Sequence, residues 1–115
     1  MTQPRPQPKP YVRTDVLTVI VFIDVNPERQ QAFIDRVTEM ITGFTRHQPG
    51  FVSSSIHASE DGTRLLNYSQ WRDRAAFEAF RAHPEAERHI ADLETIAIKL
   101  EAKVMEPELI VASVE

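Results

Sequence analysis

The sequence contains no cysteine, which excludes disulfide bonds, thiolate metal sites and cysteine nucleophiles from this chain. Only 3 of the 115 residues are glycine, so a glycine-rich loop that cradles phosphate has little to be built from. The net charge is −4, and we therefore expect no binding to nucleic acid. The histidines are scattered along the chain, so the sequence predicts no metal site.

Long apolar runs are also missing. The longest one, Val16–Ile23, is interrupted by Thr18 and is too short to span a bilayer, so we expect no membrane association. No apolar segment of signal-peptide type stands near the N-terminus, which predicts a cytoplasmic location. Any chemistry must therefore use ordinary side chains or a borrowed cofactor.

Proline is concentrated at the start of the chain, at every second position from Pro4 to Pro10. Proline removes backbone donors and favours extended chain, so residues 1–11 are predicted to be a flexible proline-rich tail. No linker interrupts the rest, and the length is typical of one domain. We therefore expect a single domain over residues 12–115.

The segment Val12–Val25 reads as a strand that is apolar on both faces. Side chains alternate along a strand, so Val19 and Ile23 lie on one face and Ile20 and Phe22 on the other. Helices can cover one of these faces. A second copy of the sheet is the simplest cover for the other, which predicts a homodimer.

A helix and a hairpin follow this strand. Asn26–Glu28 has a capping side chain, a proline and an acid, which is typical of a helix start, and Gln48–Gly50 ends the helical pattern. The strand-like runs Phe51–Ser59 and Thr63–Arg72 flank Asp61–Gly62, a strong hairpin signal.

The last third of the chain reads as two helical stretches and a strand. The first is Asp73–Arg81, and Pro84 begins the second, whose apolar stripe reaches Leu100. A final strand, Lys103–Val114, is interrupted by Pro107. The resulting order predicts an α+β, ferredoxin-like split β-α-β fold, a four-stranded antiparallel sheet with helices on one face.

The third predicted strand mixes apolar bulk with polar groups. Leu65, Asn67, Ser69 and Trp71 share one face, where an unsatisfied amide or indole N–H would each cost about 1–3 kcal/mol if buried. Either protein groups satisfy these side chains within a core, or they line a cavity that a ligand fills.

The surrounding residues complete a family pattern. The sequence resembles the antibiotic biosynthesis monooxygenase family at His57–Thr63 and at Asn67–Trp71. Pro49–Phe51 before these segments and the run to Phe77 after them fit the same pattern. Within that family the pattern is most similar to the actinorhodin-type anthrone oxygenases of aromatic polyketide pathways. The resemblance extends over residues 12–115 and is strongest over residues 49–77.

The resemblance implies a homodimer in which two sheets form a dimeric α+β barrel, with a pocket between sheet and helices in each subunit. Asn67 and Trp71 match the catalytic residues of the family, as hydrogen-bond donors to substrate or to reduced oxygen. The implied reaction oxidises an electron-rich polycyclic phenol, anthrone or hydroquinone to a quinone with dioxygen. The substrate anion itself reduces dioxygen, so no cofactor is expected.

Four further residues are candidate substrate-binding residues: His89, Arg88, Phe77 and Leu65. Phe77 stands where the actinorhodin-type enzymes have a tyrosine, so a phenol that could donate a proton is absent there. His89 reads either as a solvated helix residue or as a general base near neutral pH. Arg88 is a candidate partner for a phenolate.

Two alternative functions stay open. In the first, His89 ligates haem in a haem-binding or haem-degrading monooxygenase, as the resemblance to that branch of the family implies. The second is a non-catalytic dimeric small-molecule-binding domain. The position of His57 also stays open, because a two-residue turn would place it away from Asn67 and a three-residue turn beside it. Ser53–Ser55 read as small strand residues.

Overall fold

The computed structural model describes residues 12–114, and the predicted tail at residues 1–11 lies outside them. Helices cover one face of a four-stranded antiparallel sheet. The strands are β1 (Leu17–Asp24), β2 (Phe51–Ala58), β3 (Arg64–Trp71) and β4 (Lys99–Met105). The helices are α1 (Gln30–Gly43), α2 (Arg74–Ala82) and α3 (Pro84–Glu94), and single 3₁₀ turns lie at Pro27–Arg29 and Thr45–His47.

The strand order in the sheet is β2-β3-β1-β4, with β1 and β3 in the centre. This is the ferredoxin-like arrangement, so the predicted fold is confirmed. The helices above the central strand β1 explain the apolar residues on its helix-bearing face, where Val19 and Ile23 are buried. Between residues 12 and 114, no helix is both long enough and apolar enough to cross a membrane.

The predicted helix starts are confirmed at the level of single hydrogen bonds. The Asn26 side chain accepts from the backbone N–H of Glu28, 3.1 Å away, ahead of the turn that leads into α1. Asp73 caps α2 by accepting from the N–H of Ala76 at 2.8 Å. These short polar side chains satisfy N–H groups that have no partner within the helix.

The core lies between the helices and the helix-bearing face of the sheet. Ile23 of β1 and Leu65 of β3 pack against Phe33 and Val37 of α1 and Leu93 of α3, all buried. A smaller cluster surrounds Trp71 at the other end of the sheet. The sheet and all three helices thus form one packed unit.

The start of β1 lies later than the sequence pattern predicts, at Leu17 rather than Val12. The Gln70 side chain explains the difference, because its Nε2 donates to the Arg13 carbonyl at 3.0 Å. The Arg13 N–H in turn donates to Gln70 Oε1 at 3.4 Å. A side chain therefore satisfies backbone groups that a strand would otherwise pair.

The prediction for the last strand was wrong by several residues. Helix α3 ends at Glu94, and β4 runs from Lys99 to Met105. Leu100, predicted to be on the helix stripe, instead pairs with Ile23 of β1. The strand ends before Pro107, which cannot donate to a ladder, and residues 106–114 belong to neither a helix nor a strand.

The β2–β3 hairpin settles the register that the sequence left open. Ile56 pairs with Asn67 and His57 with Leu66, the arrangement expected for the two-residue turn. Gly62 in the turn has φ +77°, a conformation that favours glycine. His57 is thus directed to the sheet face opposite Asn67, where its ring nitrogen lies 3.0 Å from the Ser55 hydroxyl.

Candidate active site

A cavity of about 270 Å³ lies between the helix-bearing face of the sheet and the helices. Its volume is close to the lower end of the range for small-molecule sites, about 300–1,000 Å³. Every strand and every helix named above contributes to a wall that is mostly apolar and aromatic. The polar side chains of the lining are Thr45, Ser54, Asn67, Ser69, Arg81 and Glu94.

Strand β3 supplies the two residues that the sequence predicts to be catalytic. Asn67 pairs with Val21 on one side and Ile56 on the other, and Trp71 pairs with Leu17 and Phe51. The even spacing between Asn67 and Trp71 puts both side chains on the helix-bearing face. Both line the cavity, so the structure brings this pair together.

Aromatic rings surround Trp71, which is 2% exposed. The Phe51 ring meets the indole edge-to-face at 5.5 Å, and the Phe80 and Phe77 rings lie at 4.8 and 5.9 Å. Such contacts hold the indole in one orientation. Within residues 12–114 no hydrogen bond occupies its N–H, and the residue lines the cavity.

Asn67 has one side-chain partner among the described residues. The Ser54 hydroxyl donates to Asn67 Oδ1 at 2.5 Å. The neighbouring Ser69 hydroxyl is committed elsewhere, because it donates to the Val19 carbonyl at 2.8 Å. The Asn67 carboxamide is therefore held through its oxygen, while its N–H groups have no protein acceptor in the described part of the chain.

Sequence reasoning missed four polar residues of the cavity wall: Thr45, Ser54, Arg81 and Glu94. Ser54 was interpreted as a small strand residue, and only the hairpin register shows that it faces Asn67. Thr45 is 6% exposed, and its hydroxyl has no partner among the described residues. The Arg81 guanidinium lies 5.6 Å from the centre of the Phe77 ring, a cation–π contact beside the cavity.

The predicted substrate-binding residues divide into two groups. Phe77 lines the cavity and is buried. Leu65 shares the face of Asn67 but is part of the packed core rather than the cavity lining. Arg88 is exposed on α3 and also lies outside the lining.

His89 is half-buried at one side of α3, away from the cavity lining. Its Nε2 lies 3.5 Å from a carboxylate oxygen of Glu85, one turn earlier, and its ring is 5.6 Å from that of Phe44. No histidine is among the described residues that line the cavity. The geometry therefore offers the haem alternative no imidazole ligand at this site.

The charged groups near the cavity are few. Among residues 12–114 no cluster of three metal-ligating side chains is present. The carboxyl groups with a lowered pKa, Asp15, Asp61, Asp73 and Glu101, lie in turns, at a helix cap and on β4, outside the lining. The cavity thus offers neutral hydrogen-bond donors in apolar surroundings, with Arg81 and Glu94 as its charged members.

Known proteins were compared with the chain by sequence and by fold. The family model for antibiotic biosynthesis monooxygenases matches residues 16–92. Tetracenomycin-F1 monooxygenase of Streptomyces glaucescens is 39% identical over 75 residues, which are 65% of this chain and 67% of that protein.

Solved structures give the same result. A monooxygenase from ActVA-Orf6 of Streptomyces coelicolor, in complex with nanaomycin D, superimposes with a TM-score of 0.78 at 27% identity, covering 87% of this chain and 94% of its own. SnoaB of Streptomyces nogalater, a cofactor-independent oxygenase, superimposes with a TM-score of 0.70 at 22% identity. The match covers 86% of this chain and 99% of SnoaB. By its sequence and by its fold, this chain belongs to the antibiotic biosynthesis monooxygenase family.

Proposed function

We propose that this protein is a cofactor-independent monooxygenase that oxidises an electron-rich polycyclic phenol, anthrone or hydroquinone to a quinone with dioxygen. One observation carries the proposal: Asn67 and Trp71 line an apolar cavity, and their side-chain N–H groups have no protein acceptor among the described residues. Such donors stabilise negative charge that develops on an oxygen atom, and more strongly where water is excluded.

The chemistry follows from the substrate. Loss of a proton converts an anthrone to its enolate, which can transfer one electron to dioxygen and form superoxide. Combination of the two radicals makes a carbon–oxygen bond, and protonation gives a hydroperoxide. Loss of water from that hydroperoxide leaves a carbonyl group, so one oxygen atom enters the quinone and the other leaves as water.

The side chains of the cavity would assist this sequence without forming a bond to the substrate. The Asn67 amide donates to the enolate oxygen, and the Trp71 N–H donates to the same oxygen or to reduced dioxygen. The aromatic rings of Phe51, Phe77 and Phe80 offer flat apolar surfaces to a polycyclic substrate. Orientation and desolvation are thus the protein's main contributions.

The relatives support this substrate class. One acts on tetracenomycin F1, and another holds nanaomycin D. An open cavity also favours an enzyme over a domain whose corresponding space is filled by its own side chains. The predicted cytoplasmic location remains part of the proposal.

A homodimer forms the second part of the proposal. The sheet face opposite the helices carries Ile20, Phe22, Leu66 and Tyr68, and no helix of residues 12–114 covers it. Phe22 is 42% exposed there. Packing this face against a second copy would bury these side chains and give the barrel that the family resemblance implies.

Oxygen uptake with an anthrone as substrate tests the proposed activity, using protein treated with a chelator and free of flavin. Wild-type protein is expected to consume oxygen, and Asn67→Ala to do so about 100-fold more slowly, since loss of one oxyanion donor has effects of that order. Trp71→Phe is expected to be slower too. Tyr68→Phe is the matched control, because Tyr68 lies between the two residues but on the other face. Unchanged rates in both site variants would refute the site assignment.

A further inference from the structure

Asn67 can serve an anionic oxygen only in one of its two amide orientations. A carboxamide has an acceptor at one end and donors at the other, and rotation by half a turn exchanges them. With its N–H groups toward the ligand, Asn67 stabilises a negative oxygen; with its carbonyl oxygen there, it repels one. The strand neighbours of Asn67, Val21 and Ile56, have apolar side chains that cannot select an orientation.

Ser54 makes the selection in this structure. Its hydroxyl donates to Asn67 Oδ1 at 2.5 Å, and the bond is partly buried. A serine hydroxyl can donate or accept, and here it donates, so both N–H groups of Asn67 are left without a protein acceptor among the described residues. We propose that Ser54 is a positioning residue that holds Asn67 as a donor to the substrate oxygen, an inference that rests on the proposed function of the cavity.

The hairpin explains why this serine, rather than either of its neighbours, meets Asn67. Counted from the turn, Ile56 pairs with Asn67 and Ser54 with Ser69, so Ser54 lies on the cavity face diagonally across from Asn67. Ser53 and Ser55 pair with Gln70 and Tyr68 on the opposite face.

A β-bulge between Phe51 and Ser53 completes the arrangement. Phe51 pairs with Trp71 and Ser53 with Gln70, so Val52 is the extra residue. Without a bulge, alternation would place Val52 on the cavity face; with it, Phe51 returns to that face and packs against the indole. One strand thus orients both partners, Asn67 through Ser54 and Trp71 through Phe51.

Steady-state kinetics of oxygen uptake test the proposal in the full chain. Ser54→Ala is expected to lower kcat about tenfold with KM within about twofold, because the loss concerns charge that develops in the transition state. Ser54→Thr keeps the hydroxyl and is expected to keep most of kcat. Ser53→Ala, the matched control on the other face, is expected to leave both constants unchanged.

A double variant separates positioning from a general structural effect. If Ser54 acts only through Asn67, Ser54→Ala has no further effect in the Asn67→Ala background. A loss of the same size in both backgrounds would overturn the proposal, and so would an unchanged kcat in Ser54→Ala alone.

Ligand binding distinguishes failure of this proposal from failure of the proposed function. Trp71 is the only tryptophan in the chain, so quenching of its fluorescence reports binding of a dihydroxyanthraquinone without any turnover. In its phenolate form this ligand resembles the oxyanion of the transition state, so Ser54→Ala is expected to raise its Kd about fivefold, the effect of one hydrogen bond, and Ser53→Ala to leave it unchanged. If these Kd values are found but wild-type protein consumes no oxygen, the positioning role of Ser54 is supported and the proposed monooxygenase activity is refuted. Equal Kd values for Ser54→Ala and wild type would overturn the role of Ser54.

Discussion

At the scale of single residues, Thr45 is an exception to the rule that buried polar groups are paired. Its hydroxyl lies at the cavity wall without a partner among the described residues. We predict that Thr45→Val raises the free energy of unfolding of the ligand-free protein by about 1 kcal/mol, because an unpaired hydroxyl is replaced by a methyl group of similar size. Urea unfolding followed by circular dichroism measures the change.

Thr38→Val provides the comparison for this prediction. The Thr38 hydroxyl donates to the Ile34 carbonyl at 2.7 Å on the exposed side of α1, so its replacement should leave stability nearly unchanged. A loss of stability in Thr45→Val would contradict the prediction and indicate a partner, such as bound water, for the Thr45 hydroxyl.

Prediction of single residues from the sequence succeeded where side chains alternate strictly between the two faces of a strand. The alternation of β3 placed Asn67 and Trp71 on one face, and the structure confirms it. Helical spacing was less decisive for His89, which lies at the side of α3, where Glu85 one turn away is its partner. Ser54 could not be found, because its role depends on the register between two strands.

At the scale of elements, the β2–β3 turn sets the register that brings Ser54 to Asn67. Asp61 stabilises this turn by accepting from the Thr63 N–H at 3.0 Å, the Thr63 hydroxyl at 2.7 Å and the Ser59 hydroxyl at 2.8 Å. These hydrogen bonds, above all those from Thr63 and then that from Ser59, lower the pKa of Asp61 from 3.8 to about 2. The turn is therefore more stable when Asp61 is ionised.

We predict a pH-dependent difference in stability between wild type and Asp61→Asn. A carboxyl group with a lowered pKa in the folded state contributes its stability above the unfolded value of 3.8 and loses it as the pH falls toward about 2. Wild type should thus have the higher urea midpoint at pH 6, and the difference should shrink between these two pKa values. Glu60→Gln in the same turn is the control. A difference that stays constant with pH would refute the role of the Asp61 charge.

Helices and strands were predictable where capping or turn residues mark their ends. Their bounds were wrong where the same apolar residues fit both the helical and the strand spacing. The caps at Asn26 and Asp73 and the Asp61–Gly62 turn have local causes that the sequence displays. Leu100 fitted a helix stripe as well as a strand, and only pairing with Ile23 decides between them. Tertiary pairing therefore determined the elements that local spacing left ambiguous.

At the scale of the whole molecule, the sheet face opposite the helices is the surface on which the proposed dimer would form. We predict that the wild-type chain has twice the 13.2 kDa mass of a monomer and that Phe22→Asp reduces the mass to that of one chain. The carboxylate of Phe22→Asp would have to be buried against the second chain, which is costly. Size-exclusion chromatography with light scattering measures both masses.

Ala79→Asp, on the exposed side of α2, is the control for the dimer and should leave the mass unchanged. A monomeric wild-type chain would contradict the proposed dimer but not the cavity, which the single folded chain already forms. The two parts of the proposed function can therefore fail independently.

The central claim is that this chain transfers one oxygen atom from dioxygen to an aromatic substrate with no help beyond its own side chains. Turnover of an anthrone under oxygen-18 gas, with chelator present and flavin absent, tests it most directly. Mass spectrometry should find one labelled oxygen atom in each quinone formed by wild-type protein, and far less quinone with Asn67→Ala. Quinone without the label, or labelled quinone that forms only after a metal or flavin is added, would contradict the account.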